Sequence, residues 1–209
     1  MKSAKFYRNT AWDCLCGSWK PILLQTFVFN VIYMVASGID TAISACGIVS
    51  ILLVIPVSYS YNVSLLEKMR GVKEVDTNDL FNGFNDYKRM IGTYLLMYLY
   101  IYFWTLLLII PGIIKAYSYS MVPYILHDEP SLSYNEAIER SMAMMKGHKS
   151  ELFWLHLTFI GWSFLCVLTL GLAFIWVSPY LSLSVARFYD DVKAEYEATV
   201  EGDKKEECA

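Results

Sequence analysis

Charge is scarce in this sequence. Only 18% of its 209 residues are Asp, Glu, Lys or Arg, 56% are hydrophobic, and the mean hydropathy is positive at +0.39. That balance excludes a disordered, solvated chain. It also argues against a soluble helical domain, because residues 48–57 and 95–114 leave no polar face for water. The short motifs of familiar chemistry are missing as well. There is no H-E-x-x-H, no G-x-S-x-G and no phosphate-cradling glycine loop. Cys14 and Cys16 form one C-x-C pair that helical spacing points to different faces, and Cys46, Cys166 and Cys208 are isolated. No second pair completes a zinc site. No run of basic residues suggests nucleic acid. The sequence therefore reads as a non-enzyme, with no catalytic residue, no metal and no cofactor.

What is there is length in the apolar runs. Blocks run from Pro21 to Leu66, Met90 to Leu126 and Leu152 to Phe188. Each is too long for one crossing of a roughly 30 Å hydrocarbon core and suits two. The expected fold is thus all-α: six transmembrane helices paired as three hairpins, with amphipathic cytoplasmic connectors. The cations orient it. Sixteen of seventeen Lys and Arg residues fall in the N-terminal segment, the two long loops and the tail, and Lys115 alone lies towards the other face. Such an excess marks the cytoplasmic side, so both termini are expected inside a multi-pass bacterial plasma-membrane protein, with the first span retained and not cleaved as a signal peptide.

Residues 1–189 read as one membrane domain of three pseudo-repeats, about 1–70, 71–130 and 131–189. Gly17, Gly83 and Gly147 mark the period, 66 and 64 residues apart. Residues 190–209 are an acidic cytoplasmic tail, expected to lose order beyond Tyr196. Each unit opens on an amphipathic stretch. The best defined begins with a capping box, Ser133-Tyr134-Asn135-Glu136, and continues with Ala137, Ile138, Ser141, Met142 and Met145 on one face. Weaker versions lie at 4–16, through Ala4, Tyr7, Ala11 and Leu15, and at 76–88, through Leu80, Phe81, Phe84 and Tyr87. Turns are expected at Ser37-Gly38-Ile39-Asp40, at Leu170-Gly171 and, in the second block, at Pro111-Gly112, where a continuous kinked helix is the alternative.

Several of these residues carry a resemblance. The run Leu108-Ile109-Ile110-Pro111-Gly112-Ile113-Ile114-Lys115-Ala116-Tyr117-Ser118-Tyr119-Ser120-Met121, then Pro123-Tyr124-Ile125, resembles a signature of the domain of unknown function 975 family. So do Ala137-Ile138, Ser141, Met145-Lys146-Gly147-His148-Lys149, Phe159-Ile160-Gly161-Trp162, Pro179-Tyr180 and Ala186-Arg187-Phe188-Tyr189. In the first unit only Leu15, Gly17 and Trp19 match. The resemblance implies a bacterial integral membrane protein and brings no established activity.

Ionisable groups inside a membrane are costly, so each is a candidate. Lys115 either snorkels to the outer interface or lines a cavity, and Asp40 is its expected partner. His156 stands alone on an apolar helix, more in the manner of a hydrogen-bonded histidine than a metal ligand. His127, Asp128 and Glu129 cluster at one helix end with His148 one loop away, at a spacing that matches no standard metal site. Proline precedes hydroxyl-rich residues in the second helix of each hairpin. Ser60 and Tyr61, Ser118 and Tyr119, and Ser182 and Ser184 with Ser178 just ahead of its proline, can re-satisfy carbonyls freed by proline, or can converge on a polar path. Trp19, Tyr87, Tyr124 and Tyr189 are expected as interface anchors.

Two readings of function follow. The leading one is a scaffold or accessory subunit binding the lipid bilayer, anionic lipids in particular, or another membrane protein. The alternative is a small permease-like carrier using the polar halves of the second, fourth and sixth spans with Lys115. A lipid-acting enzyme is a distant third.

Overall fold

The computed structural model describes residues 2–43, 47–169, 171 and 173–207; Leu170, Cys46 and Cys208 lie outside this set. Every regular element in it is helical and none is a strand. Three stretches are long and apolar enough to cross a membrane: Trp19–Ala42, Ile48–Met69 and Lys149–Leu168.

The order repeats a short amphipathic element followed by a hairpin. Helix α1 (Ala4–Cys16) precedes α2 (Trp19–Ile43) and α3 (Ile48–Met69). A 3-10 segment (Thr77–Phe84) precedes α4 (Tyr87–Leu107), α5 (Ile109–Ser118) and α6 (Val122–Asp128). Then α7 (Tyr134–Met144) precedes α8 (Lys149–Leu157), α9 (Ile160–Leu168) and α10 (Phe174–Glu207). The three glycine landmarks nevertheless do different jobs. Gly17 caps α1 in an ordinary helical conformation, Gly83 is pressed against α3, and Gly147 adopts a left-handed turn at φ +94°.

The first turn comes later than expected. Helix α2 runs on through Ser37-Gly38-Ile39-Asp40, and α3 starts after Gly47, whose φ is +83°. Asp40 explains the extension. Its carboxylate accepts from the backbone N–H groups of Val49 (2.9 Å) and Ser50 (2.8 Å), so it caps α3 from the neighbouring helix, where an anion meets the positive end of the dipole. In the second block the chain turns at Leu108, whose backbone is extended (φ −158°, ψ 137°), three residues before Pro111-Gly112. It is a hairpin, not one kinked helix. Pro111 falls in the first turn of α5, where its missing N–H costs nothing. Gly112 lets the two helices of the hairpin close, because a Cβ there would strike Thr105.

Proline and the 3-10 segment are coupled. Pro56, inside α3, cannot donate to the carbonyl of Leu52. The hydroxyl of Tyr87 donates to that carbonyl instead, at 3.1 Å. Reaching it requires residues 77–87 to run back alongside α3 rather than across its end. Ser60 donates to the Pro56 carbonyl (3.0 Å) and accepts from the Gly83 N–H (2.7 Å), pinning the segment. Its outward side carries a stacked row, Phe81, Phe84 and Tyr87.

The core is uneven. Tyr7, Ala11 and Leu15 of α1, Leu65 and Leu66 of α3, Leu80, Ala137, Ile138, Leu152, Leu183 and Phe188 are all essentially buried. These are the connector faces and the hairpin ends they meet, and burying each large side chain contributes about 1.5–3 kcal/mol. Away from this base the hairpins are wrapped in exposed apolar residues, among them Met34, Leu106, Ile110, Phe164, Val167 and Leu168. A belt of that extent is a poor surface in water and a suitable one in lipid.

The capping box at Ser133 and Glu136 forms, with the Ser133 N–H donating to Glu136 at 2.7 Å. The acidic tail departs from expectation. Helix α10 continues through Gly202 to Glu207; Lys193 pairs with Glu197 one turn on, and Tyr196 lies under the Arg140 guanidinium at 5.1 Å.

Candidate functional site

The hairpin ends meet at one carboxylate. Asp128 closes α6, at a helix C-terminus where carbonyl dipoles disfavour an anion. Arg70, at the end of α3, donates to both its oxygens (2.7 and 2.8 Å), and Lys193 of α10 adds a third bond at 2.6 Å. Tyr189 donates to the same carboxylate at 3.0 Å, and Arg70 reaches on to Asp190 at 2.7 Å. The Asp128 side chain is only 6% exposed. Burial alone would raise its pKa. The hydrogen bonds and charges of Arg70 and Lys193 outweigh that and hold the carboxyl well below the usual range. Asp128 in turn holds the Arg70 guanidinium above its ordinary value, and desolvation followed by the Asp128 charge pushes the Tyr189 phenol up.

Further pairs surround this knot. Lys2 and Arg187 share Asp191 (3.2 and 3.1 Å), Arg140 meets Glu129 (3.0 Å), and His127 lies 3.6 Å from Glu67. They tie α1, α3, α6, α7 and α10 together at one end. The residues 127–129 that looked like a loose polar end are its centre. No group of three or more potential metal ligands occurs among the described residues.

Above the knot lies a polar cavity of about 220 Å³ between α3, the 3-10 segment and His127. Tyr59, Ser60, Ser64, Glu67 and Asp79 line it. Gln25 bonds to Ser64 (3.0 Å) and to the Asp76 carbonyl (3.2 Å), closing the side towards α2.

The candidate polar residues are placed as follows. Tyr61 donates to Thr26 at 3.1 Å and stacks on Phe29. Ser118 donates to the Ile114 carbonyl, and its own carbonyl, freed where α5 gives way to α6, accepts from Ser141 of α7 at 2.8 Å. His156 donates from Nδ1 to the Leu152 carbonyl (2.9 Å), with Tyr117 edge-on. Lys115 does not pair with Asp40. Its ammonium sits 3.6 Å from Met142 Sδ of α7 and 5.1 Å above the Trp104 ring, beside a recess of about 190 Å³ shared with Tyr119, Asn135 and Glu139. Asp40 is committed to α3. Of the expected anchors, Trp19 is half-buried against Trp12 and Trp176, and Tyr87 serves Leu52. Tyr124 and Tyr189 are core residues, 2% and 1% exposed, stacked on each other with centroids 5.0 Å apart, so their rings face protein and not headgroups.

Asp128, Lys115, Ser118 and Tyr189 all fall within one stretch that has relatives. Residues 105–196 match the family described as Protein of unknown function (DUF975). The match takes in the second half of the second hairpin, the connector α7 and the third hairpin, and so supports the resemblance read from the sequence. No curated protein and no solved structure matches the chain. Three of the knot's four charged residues, Asp128, Asp190 and Lys193, lie in the matched stretch, and Arg70 reaches it from outside.

The sequence carried one unread signal for the knot. Arg70 and Asp128 close the second member of the first two hairpins, and Lys193 follows the apolar part of the third. Like-placed groups of opposite charge are candidates to meet wherever the hairpins converge.

Proposed function

We propose that this chain is a multi-pass bacterial membrane protein whose three hairpins cross six times, with both termini and the connectors in the cytoplasm. We further propose that it acts as a non-enzymatic scaffold or accessory subunit, binding lipid or a second membrane protein. One observation carries the functional half: the polar side chains that could line a path are spent on the protein's own backbone and on one another, Ser60, Ser118 and His156 on carbonyls and Tyr61 on Thr26. A helix assembly fastened at one end and apolar over the rest presents surface, not a conduit.

Topology turns on the second hairpin. Helix α4 spans about 31 Å at 1.5 Å per residue, but α5 covers only about 15 Å before the break at Tyr119. Single cysteines at positions 76 and 135 are expected to be shielded from an impermeant thiol reagent in intact cells, and one at position 108 to react. A shielded position 108 would reduce the crossings to four and make the second hairpin re-entrant.

Native mass spectrometry of the protein extracted in its own lipids tests the function. A reproducible bound lipid or protein subunit is expected. The carrier reading rests on the polar cavity beside Ser60 and Ser64; a retained soluble metabolite, with uptake lost in Lys115→Ala, would replace the scaffold reading with it.

A further inference from the structure

Four of the six tryptophans converge from four separate helices. Trp12 of α1, Trp19 of α2, Trp162 of α9 and Trp176 of α10 line one groove with Val177 and Tyr180, enclosing about 290 Å³ with almost no polar surface. The rings are in contact: Trp12 with Trp19 at 5.6 Å, Trp19 with Trp176 at 5.2 Å, Trp12 with Tyr180 at 5.9 Å and Trp162 with Tyr180 at 6.3 Å. Aromatic faces packed only on one another normally make a closed core. Here Trp12 is 46% and Trp176 53% exposed, so the groove is open along its length.

Two features decide what it would hold. The first is its setting. The groove is walled by α2 and α9, helices whose other exposed side chains, Leu24, Phe27, Phe164 and Val167 among them, are apolar and suit hydrocarbon. The second is charge at one rim. Tyr180 forms a wall with its ring and turns its hydroxyl to Arg8, which donates from Nε at 3.4 Å. The Arg8 guanidinium also lies 6.0 Å from the Phe159 ring. Among the described residues Arg8 has no carboxylate partner, whereas Lys2 and Arg187 close by are both paired with Asp191. Lys5 and Arg8 precede Trp12 at steps of three and four residues, so both cations share its face of α1, one and two turns from the groove.

An apolar slot between helices with lipid-compatible surfaces, with a guanidinium at its rim that has no carboxylate partner among the described residues, matches one chemistry. We propose that this groove is a binding site for a single anionic glycerophospholipid, with one acyl chain against the tryptophans and the phosphate on Arg8. A quaternary ammonium headgroup, which aromatic cages also accept, is opposed by Arg8 and Lys5. A cavity just under the roughly 300 Å³ of small-ligand pockets takes a stretch of chain and not a whole lipid. The inference rests on the membrane-scaffold reading and names the lipid class for it.

The test uses the full-length protein in phosphatidylcholine nanodiscs containing a small fraction of phosphatidylglycerol, released for native mass spectrometry. The wild type is expected to retain one phosphatidylglycerol in preference to phosphatidylcholine. Arg8→Gln should cut that preference roughly fivefold, the weight of one basic side chain at an anionic membrane surface, and Arg8→Lys should keep most of it. Trp176→Ala, at an exposed ring, should lower retention of both lipids. Equal retention of the two lipids by the wild type overturns the proposal without any variant, and so does Arg8→Gln indistinguishable from wild type. Should a lipid or protein partner persist unchanged in Arg8→Gln and Trp176→Ala, this groove is rejected while the scaffold reading stands. A wild type that carries neither lipid nor partner rejects both.

Discussion

Asp128→Asn should unfold more readily than any other conservative charge substitution in this chain. The carboxylate is the common acceptor for Arg70, Lys193 and Tyr189, and its removal leaves two cations facing each other at the hairpin ends. Taking one partner from a largely buried ion pair costs about 3 kcal/mol, or roughly 6–12 °C in midpoint for a chain of this size. Asp190→Asn is the contrast: Arg70 keeps its two bonds to Asp128, so the loss should be well under half as large. Thermal unfolding in one detergent compares them. Equal midpoints for Asp128→Asn and wild type would show that the knot does not hold the hairpins together. The same group sets an acid limit. Its pKa in the folded protein is depressed, so its contribution is complete above the ordinary Asp value near 4 and fades as pH falls from there towards the lower folded value. Wild type should therefore lose stability on acidification below about pH 4, and Asp128→Asn should lose less.

Gly83→Ala ranks second. A Cβ at this position would run into the backbone carbonyl of Pro56 and the Ser60 hydroxyl, and α3 is too well packed there to yield. Pushing the 3-10 segment outward breaks the Gly83–Ser60 bond and draws Tyr87 away from the Leu52 carbonyl. Overpacking of this kind costs about 1–3 kcal/mol, and the lost Tyr87–Leu52 hydrogen bond adds about 1 kcal/mol. Tyr87→Phe isolates the second effect and should cost about 1 kcal/mol. Gly38→Ala is the control, since nothing lies within 4 Å of its new methyl in the middle of α2; it should stabilise slightly, by about 0.5–1 kcal/mol. Unfolding midpoints and proteolysis across residues 71–76 read all three. A Gly83→Ala protein as resistant as Gly38→Ala would mean that the segment is not seated on α3.

Local signals in the sequence translated well wherever one element decides its own conformation. The capping box at Ser133 and the buried stripe Tyr7, Ala11 and Leu15 both reflect interactions within a few residues or within one amphipathic face. The turn positions were less legible. Glycine and proline mark places where a helix can stop, but Gly38 and Pro111 are tolerated inside helices because their neighbours leave room or because the lost N–H has no partner. The partners of Asp40 and Lys115 differ from those expected for a related reason. Opposite charge on the same face suggests a pair, but Asp40 is taken up by two backbone amides of its own hairpin before a distant lysine can compete.

The sequence by itself determined an all-helical, lipid-compatible chain, because composition and periodicity act locally and additively. The tertiary structure alone decided which polar groups meet. Arg70, Asp128 and Lys193 are separated by 58 and 65 residues, as Trp12 and Trp176 are by 164. Each is unremarkable on its own helix. What joins them is the convergence of hairpin ends, set by how the connectors pack, and no spacing along the chain encodes that.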